Sequence, residues 1–272
     1  MRLSFLAPKQ PAWFRGAAVV AVASLAVFAV WNWREPWSPG GIGGLTFGTA
    51  AAVIFGLDAL YPLRRRLMAW PLGTAQRWLQ FHLYGGVLAC LFVGVHTGFR
   101  VPGGAIGWWL AGLTIWATLS GLIGVALQKY VPTVLANELR VEAIYERIPE
   151  LAGRLQKEAD TLVAGGPDLM QRFYADAIRG DLERLTPSWG YLAGFRAELA
   201  RRVAPFDGLA PFLAEADRVR LANLQAIVTE KLELEVQYSL QRLLKHWVMF
   251  HVVPCLVLLA LITVHIASVI VF

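Results

Sequence analysis

Four histidines fall into two pairs with one spacing, His82 with His96 and His251 with His265, fourteen positions apart in each case and inside a long apolar run. On an α-helix, fourteen residues rise about 21 Å and return to within about 40° of the starting direction, so both members of a pair lie along one face. Such a helix carries an imidazole near each side of a hydrocarbon layer. Two of them side by side would oppose imidazoles at two depths, the arrangement that clamps two haem irons one above the other. An imidazole in hydrocarbon is costly unless both ring nitrogens are satisfied. Ligation satisfies one, and the other is expected to bond a carbonyl or a hydroxyl such as Thr97 or Thr263, a turn or less away. The bland alternative is four histidines hydrogen-bonded between helices or facing interior water.

Whether those runs cross a membrane is a matter of length and composition. The hydrophobic fraction is 57% and the mean hydropathy +0.51, too apolar for an ordinary soluble chain. Five stretches are long enough to cross about 30 Å of hydrocarbon, roughly Gly16 to Trp31, Gly43 to Tyr61, Leu79 to Phe99, Ile106 to Leu127 and Trp247 to Phe272. The first follows Arg2, Lys9 and Arg15, as a signal peptide would, but Trp31 and Trp33 follow it instead of a small-residue cleavage pattern. It is therefore expected to be a retained helix. The predicted fold is all-α: an integral membrane bundle of five helices with a cytoplasmic helical insertion, divided as 1–129 (spans one to four), 130–244 (insertion) and 245–272 (span five).

Charge sets the expected orientation. The N-terminal tail and the loop between spans two and three carry seven basic residues (Arg2, Lys9, Arg15, Arg64, Arg65, Arg66, Arg77), whereas the opposite loops carry Arg34 and Arg100. The rule that basic loops stay inside puts the N-terminus and the insertion in the cytoplasm and the C-terminus on the outer face, as in a bacterial inner membrane. Segment 129–245 holds sixteen basic and seventeen acidic residues, so the net charge of +6 resides in the membrane loops and gives no case for a nucleic-acid partner.

The insertion is rich in charges and helix formers. Val131-Pro132 is expected to close span four, with further breaks at Gly165-Gly166-Pro167, Thr186-Pro187 and Pro205 to Gly208, leaving four or five helices. Partial apolar faces such as Leu151, Leu155 and Leu162, or Leu232, Val236, Leu240 and Leu243, suit helix-on-helix packing. The last helix has no strong stop and is expected to run from about Leu209 into span five. The insertion lacks histidine, cysteine and any clear carboxylate cluster, which makes it a docking platform or brace rather than a catalytic domain.

Spans three and five run in the same direction, so His82 pairs with His251 at the cytoplasmic side and His96 with His265 at the outer side. Gly85 and Gly86 follow His82 by a turn, Gly94 and Gly98 flank His96, and the second and fourth spans add Gly44, Gly48, Gly112, Gly121 and Gly124. These remove side chains where a macrocycle edge could approach, although small residues also simply let membrane helices pack. Arg77 and Lys245 are placed to meet the propionates of an inner haem, and Arg100 those of an outer one; each could equally be an interface anchor. His246 lies off the shared face at the cytoplasmic edge, an interfacial residue or part of a quinone pocket. Asp58 is the acidic residue inside a span and is expected to snorkel to the boundary, with proton handling as the alternative. Cys90 and Cys255 read as packing residues, and without Cys-x-x-Cys-His no haem can be covalently attached.

The strings from Phe81-His82-Leu83-Tyr84-Gly85-Gly86 to Val95-His96-Thr97-Gly98, and from Phe250-His251 to Val264-His265-Ile266, resemble the haem helices of membrane b-type cytochromes. Ligands on spans three and five with a cytoplasmic N-terminus are similar to the transmembrane domain of ferric reductases and NADPH oxidases. The interval also resembles that of cytochrome b in quinol–cytochrome c oxidoreductases, where the ligand helices cross in opposite senses. The resemblance covers the membrane half and implies two non-covalent b haems. Unlike in those oxidases, no sixth span or flavin- or nicotinamide-binding segment is expected after the last helix, and about 115 residues are inserted between spans four and five. Electrons are then expected from quinol or a separate protein, with Gln80, Tyr84 and His246 as quinone-site candidates. The chain is expected to be the cytochrome b subunit of a membrane redox complex, passing electrons to an outer-face cytochrome c or iron–sulfur protein. A histidine relay for protons or metal ions, and a cofactor-free membrane anchor, are the other classes.

Overall fold

A computed structural model describes residues 11–62, 74–138 and 143–271. Arg2, Lys9, Arg64, Arg65 and Arg66, which carry most of the orientation argument, lie outside the described residues, as does Phe272. All regular structure among the described residues is helical: α1 (Pro11–Arg34), α2 (Ile42–Asp58), α3 (Ala75–His96), α4 (Gly104–Glu138), α5 (Ile148–Ala164), α6 (Asp168–Phe173), α7 (Arg179–Leu182), α8 (Tyr191–Leu209) and α9 (Glu215–Val271). A π-helical turn, Tyr174–Ile178, joins α6 to α7, and 3₁₀ turns precede α5 and α9. The chain divides into two compact units, one of residues 1–126 with 247–272 and one of residues 127–246.

In the first unit, four helices are long and apolar enough to cross a membrane: α1, α3, α4 and α9. Helix α2, with 17 residues, is a shorter apolar helix. Large apolar side chains point outward along these helices, among them Val22, Trp108, Trp109, Ile123, Phe250 and Leu256. In water such a continuous apolar exterior would drive aggregation, whereas in lipid it is the expected surface, so these helices are compatible with an integral membrane protein.

Local chemistry fixes the ends of α3. Thr74 caps its start, its hydroxyl accepting the Arg77 N–H at 3.3 Å. At its end Gly98 turns left-handed (φ 64°), and the N–H groups of Gly98 and Phe99 return to the carbonyls of Val95 and Gly94 at 2.9 and 2.8 Å. This is the Schellman ending, and it requires the glycine. Gly94 and Gly98 therefore have local tasks. A Cβ at Gly94 would meet the Phe99 ring at 2.7 Å, and one at Gly98 would meet Trp37 at 2.9 Å. Trp37, 3% exposed in the α1–α2 connection, packs edge-on to Phe28 and Trp31, and its indole N–H donates to the His96 carbonyl at 3.3 Å.

Two expected helix breaks are not breaks. Helix α4 runs through Pro132 to Glu138, and α8 runs through Pro205 to Leu209. A proline removes one backbone hydrogen bond, but its fixed φ suits a helix, and in both places burial outweighs the loss. Val131 is fully buried among Tyr191, Phe195, Leu232, Val236 and Leu240, and Phe206 is buried among Leu155, Tyr174, Leu209 and Leu224. The bend in α8 falls instead at Gly194 (φ −157°, ψ 41°). Helix α9 is continuous, beginning at Glu215 after an extended Leu213.

The second unit is an α-helical domain with a true apolar core. Helix α5 buries Ile148, Ala152, Leu155, Ala159 and Val163 at spacings of three and four, one stripe of the helix surface. In α9 the residues from Lys231 to Gln237 are buried on every side, Lys231 and Glu235 included. At the edge of this unit, the Arg201 and Arg202 guanidiniums beside Glu198 hold its carboxyl down to about 2. A group whose folded pKa is lowered stabilises the fold above its unfolded pKa and loses that contribution as pH falls through the folded one. The thermal midpoint of this unit is thus expected to drop between about pH 4.5 and 2, and E198Q should flatten that limb. Circular dichroism melts at stepped pH, wild type against E198Q, check it. The carboxylate is partly solvated, so the effect is modest.

Candidate paired-histidine site

All four histidines of the two pairs lie in the first unit, His82 and His96 on α3 and His251 and His265 on α9. Their rings meet two by two. The centroids of His82 and His251 are 6.1 Å apart with planes at 87°, and those of His96 and His265 are 6.4 Å apart at 73°.

Around the first pair, α2 and α4 supply the support. The Asp58 carboxylate is 8% exposed, with Oδ1 3.5 Å from His82 Nδ1, so Asp58 does not snorkel outward as expected. It ends α2 on the side facing α3, where Gly85 and Gly86 offer no side chain: a Cβ at either would be 3.6 or 3.5 Å from the carboxylate. The Tyr61 ring stacks on His82 (4.9 Å, 17°) and Trp247 on His251 (5.6 Å, 13°).

His251 is gripped by α4. Its Nδ1 is 2.8 Å from Ser120 Oγ, and that hydroxyl donates its own proton to the Trp116 carbonyl at 2.6 Å. A serine has one O–H, so the contact with His251 is made by Nδ1–H donating, which leaves Nε2 with its lone pair. Pro254 adds a second hold. It has no N–H to give the carbonyl four residues earlier, and the Phe250 carbonyl takes the Trp116 indole N–H instead, at 2.9 Å. The Trp247 indole N–H reaches the Ser120 carbonyl at 2.8 Å, its ring lying where Gly124 has no side chain. A Cβ at Gly124 would lie inside that ring.

In the second pair, His96 Nδ1 sits 2.8 Å from the Gly44 carbonyl. A carbonyl only accepts, so Nδ1 is the donor and Nε2 again keeps its lone pair. Gly48 makes this possible: a Cβ there would stand 2.8 Å from Nδ1. Helix α2 therefore serves both pairs, through its Gly44 end and its Asp58 end.

The hydroxyls expected to serve the rings do something else. Thr97 and Thr263 bond back to the carbonyls of Gly94 and Leu259 on their own helices, the common fate of a helical threonine. Arg77 and Arg100 are exposed beside the two ends of α3. Lys245 belongs to the second unit, where its ammonium bonds Glu146 at 2.6 Å and lies over the Tyr145 ring. His246, also in that unit, bonds the Arg242 carbonyl of its own helix at 2.8 Å. Cys90 and Cys255 are half-buried and in no disulfide, and the Cys255 Sγ lies 4.0 Å from His251 Nε2, one turn along α9.

The donor set can be tested against a haem. Two imidazoles on opposite sides of one metal atom, with metal–nitrogen bonds of about 2 Å, place their ring centroids roughly 6 Å apart. Both pairs have that separation, and at His96 and His251 the hydrogen-bond chemistry leaves Nε2 as the donor. Among the described residues no three His, Cys, Asp or Glu side chains gather as a metal cage. Donors offered in twos suit a macrocycle that brings four nitrogens of its own. The residues fit the group. Comparison with family models, with curated proteins and with solved structures gives no match to this chain.

Proposed function

We propose that this chain is a transmembrane electron conduit that holds two non-covalent b haems, one between His82 and His251 and one between His96 and His265. The observation that supports it most is the pair of ring separations, 6.1 and 6.4 Å, repeated on the same two helices fourteen residues apart. When bound, each haem supplies a one-electron change at its iron. The chain supplies everything else. Its histidines offer Nε2, its α2 faces Nδ1 of His82 and His96 and its α4 that of His251, and its apolar helices keep water from the gap.

In this proposal α2 crosses the membrane with the other four, and the N-terminus and the second unit face the cytoplasm of a bacterial inner membrane. Quinol or a cytoplasm-side protein gives the electron, and an outer-face cytochrome c or iron–sulfur protein accepts it, within a larger redox complex. A proton relay through the same imidazoles is the second reading, and the Asp58 carboxylate beside His82 is the observation in its favour.

The visible spectrum of the purified full-length protein separates the two. Reduction with dithionite is expected to develop the narrow α band of low-spin b haem, with about two haems per chain by pyridine haemochrome assay. A colourless protein that still folds would overturn the conduit and leave the relay.

A further inference from the structure

The two pairs are supported differently, and one residue sets the first apart by its charge. His96 Nδ1 meets a backbone carbonyl and His251 Nδ1 a serine hydroxyl, both neutral. His82 Nδ1 meets a carboxylate. Asp58 Oδ1 and His82 Nδ1 are both buried, 3.5 Å apart, and neither atom has another hydrogen-bond partner. A buried acceptor and a buried donor left open toward each other are costly to maintain unless they serve one another.

Resting on the dihaem reading, we propose that Asp58 is the positioning residue of the first site: it accepts the hydrogen bond of His82 Nδ1–H, fixes Nε2 as the ligand, and makes that imidazole a stronger electron donor than those of His96 and His251. A carboxylate behind a ligating histidine raises the basicity of the ligand, and a more basic ligand favours the oxidised metal. The first haem would then have the lower reduction potential of the two, and the chain would hold a built-in difference between its two sides.

Four full-length proteins test this: wild type, D58N, D58L and, to identify the first component, H82A, each titrated potentiometrically while the α-band components are followed, with low-temperature electron paramagnetic resonance of the oxidised forms. D58N keeps an acceptor oxygen of the same size without the negative charge. It is expected to retain both haems, to shift the component that H82A abolishes to a higher potential, to move that component's resonance signals, and to leave the His96–His265 component unchanged. D58L removes the acceptor, and loss of the first component there with recovery in D58N marks positioning rather than packing. A dihaem protein whose potentials and signals are unmoved in D58N, or whose shift falls on the other component, overturns the role of Asp58 alone. A wild type without haem overturns both proposals.

Discussion

H251A is expected to lose one of two spectrally distinct haems and to keep the other. An iron with one axial imidazole removed is left with a single protein bond, and a non-covalent haem has no other strong anchor. The fold should survive the change, because two of the three bonds that tie α4 to this part of α9 do not involve the imidazole: Trp116 to the Phe250 carbonyl and Trp247 to the Ser120 carbonyl. The second haem is then its own folding control. Pairing is tested by double variants. H82A/H251A strikes one site twice and should still bind about one haem per chain; H82A/H265A strikes both sites and should bind none. Additivity between sites and its absence within a site follow because only residues sharing a partner couple. Haem-to-protein ratios on the purified variants decide it, and equal losses in the two doubles would refute the assignment of partners.

The histidine pairs were legible because their information is local. A rare residue type, five in the chain, repeated at one interval in apolar helices, needs only helix geometry to be read. The supports were not legible because they are contacts between helices. Ser120 looks like any small residue of a membrane helix, and nothing near it in sequence says that it will meet a ring 131 positions later. Asp58 stands at the end of a helix, where snorkelling is the default, and its burial comes from a contact with His82 on another helix, 24 positions later. Some signals were present but ambiguous. Gly48 and Gly124 were visible as small residues, and the structure shows what each admits, the His96 ring and the Trp247 ring. Pro254 announces an orphaned carbonyl at Phe250 without naming the donor that fills it. Lys231 and Glu235 present the i, i+4 spacing of an ordinary surface pair, and in the structure both side chains are fully buried.

That buried pair gives the largest expected effect on stability. Lys231 spends its three protons on Glu235 at 2.6 Å, on the Arg184 carbonyl at 2.7 Å and on the Asp181 carbonyl, so it also caps the free carbonyls at the end of α7. Glu235 accepts from Lys231, from the backbone and hydroxyl of Thr186 at 3.0 Å each, from Arg202 at 3.0 Å and from Tyr191 at 3.3 Å. Arg202 in turn bonds Asp181 at 2.6 Å and Glu198 at 2.9 Å. Burial and the neighbouring Glu235 charge push the Tyr191 hydroxyl up to about 12, so it stays a donor. A complete network of this kind adds little net stability, since desolvating the charges cancels most of the attraction between them, yet breaking it is expensive. E235L would leave the Lys231 ammonium buried without its counter-charge, on two carbonyls alone, and would leave part of a guanidinium and the Thr186 N–H without an acceptor in the core. The cost is about 3–5 kcal/mol against a typical total of about 5–15 kcal/mol. For a unit of this size that corresponds to a fall in thermal midpoint on the order of 10 °C or more. E235Q should cost less, because the amide oxygen still accepts from Thr186 or Lys231 while one charge partner is lost. K231M should fall between the two, since it frees two carbonyls and strands a carboxylate that Arg202 still holds. Limited proteolysis of residues 143–246 on a temperature ramp, in detergent, ranks the three variants. A leucine at 235 that melts with the wild type would mean that the charges are not buried as described.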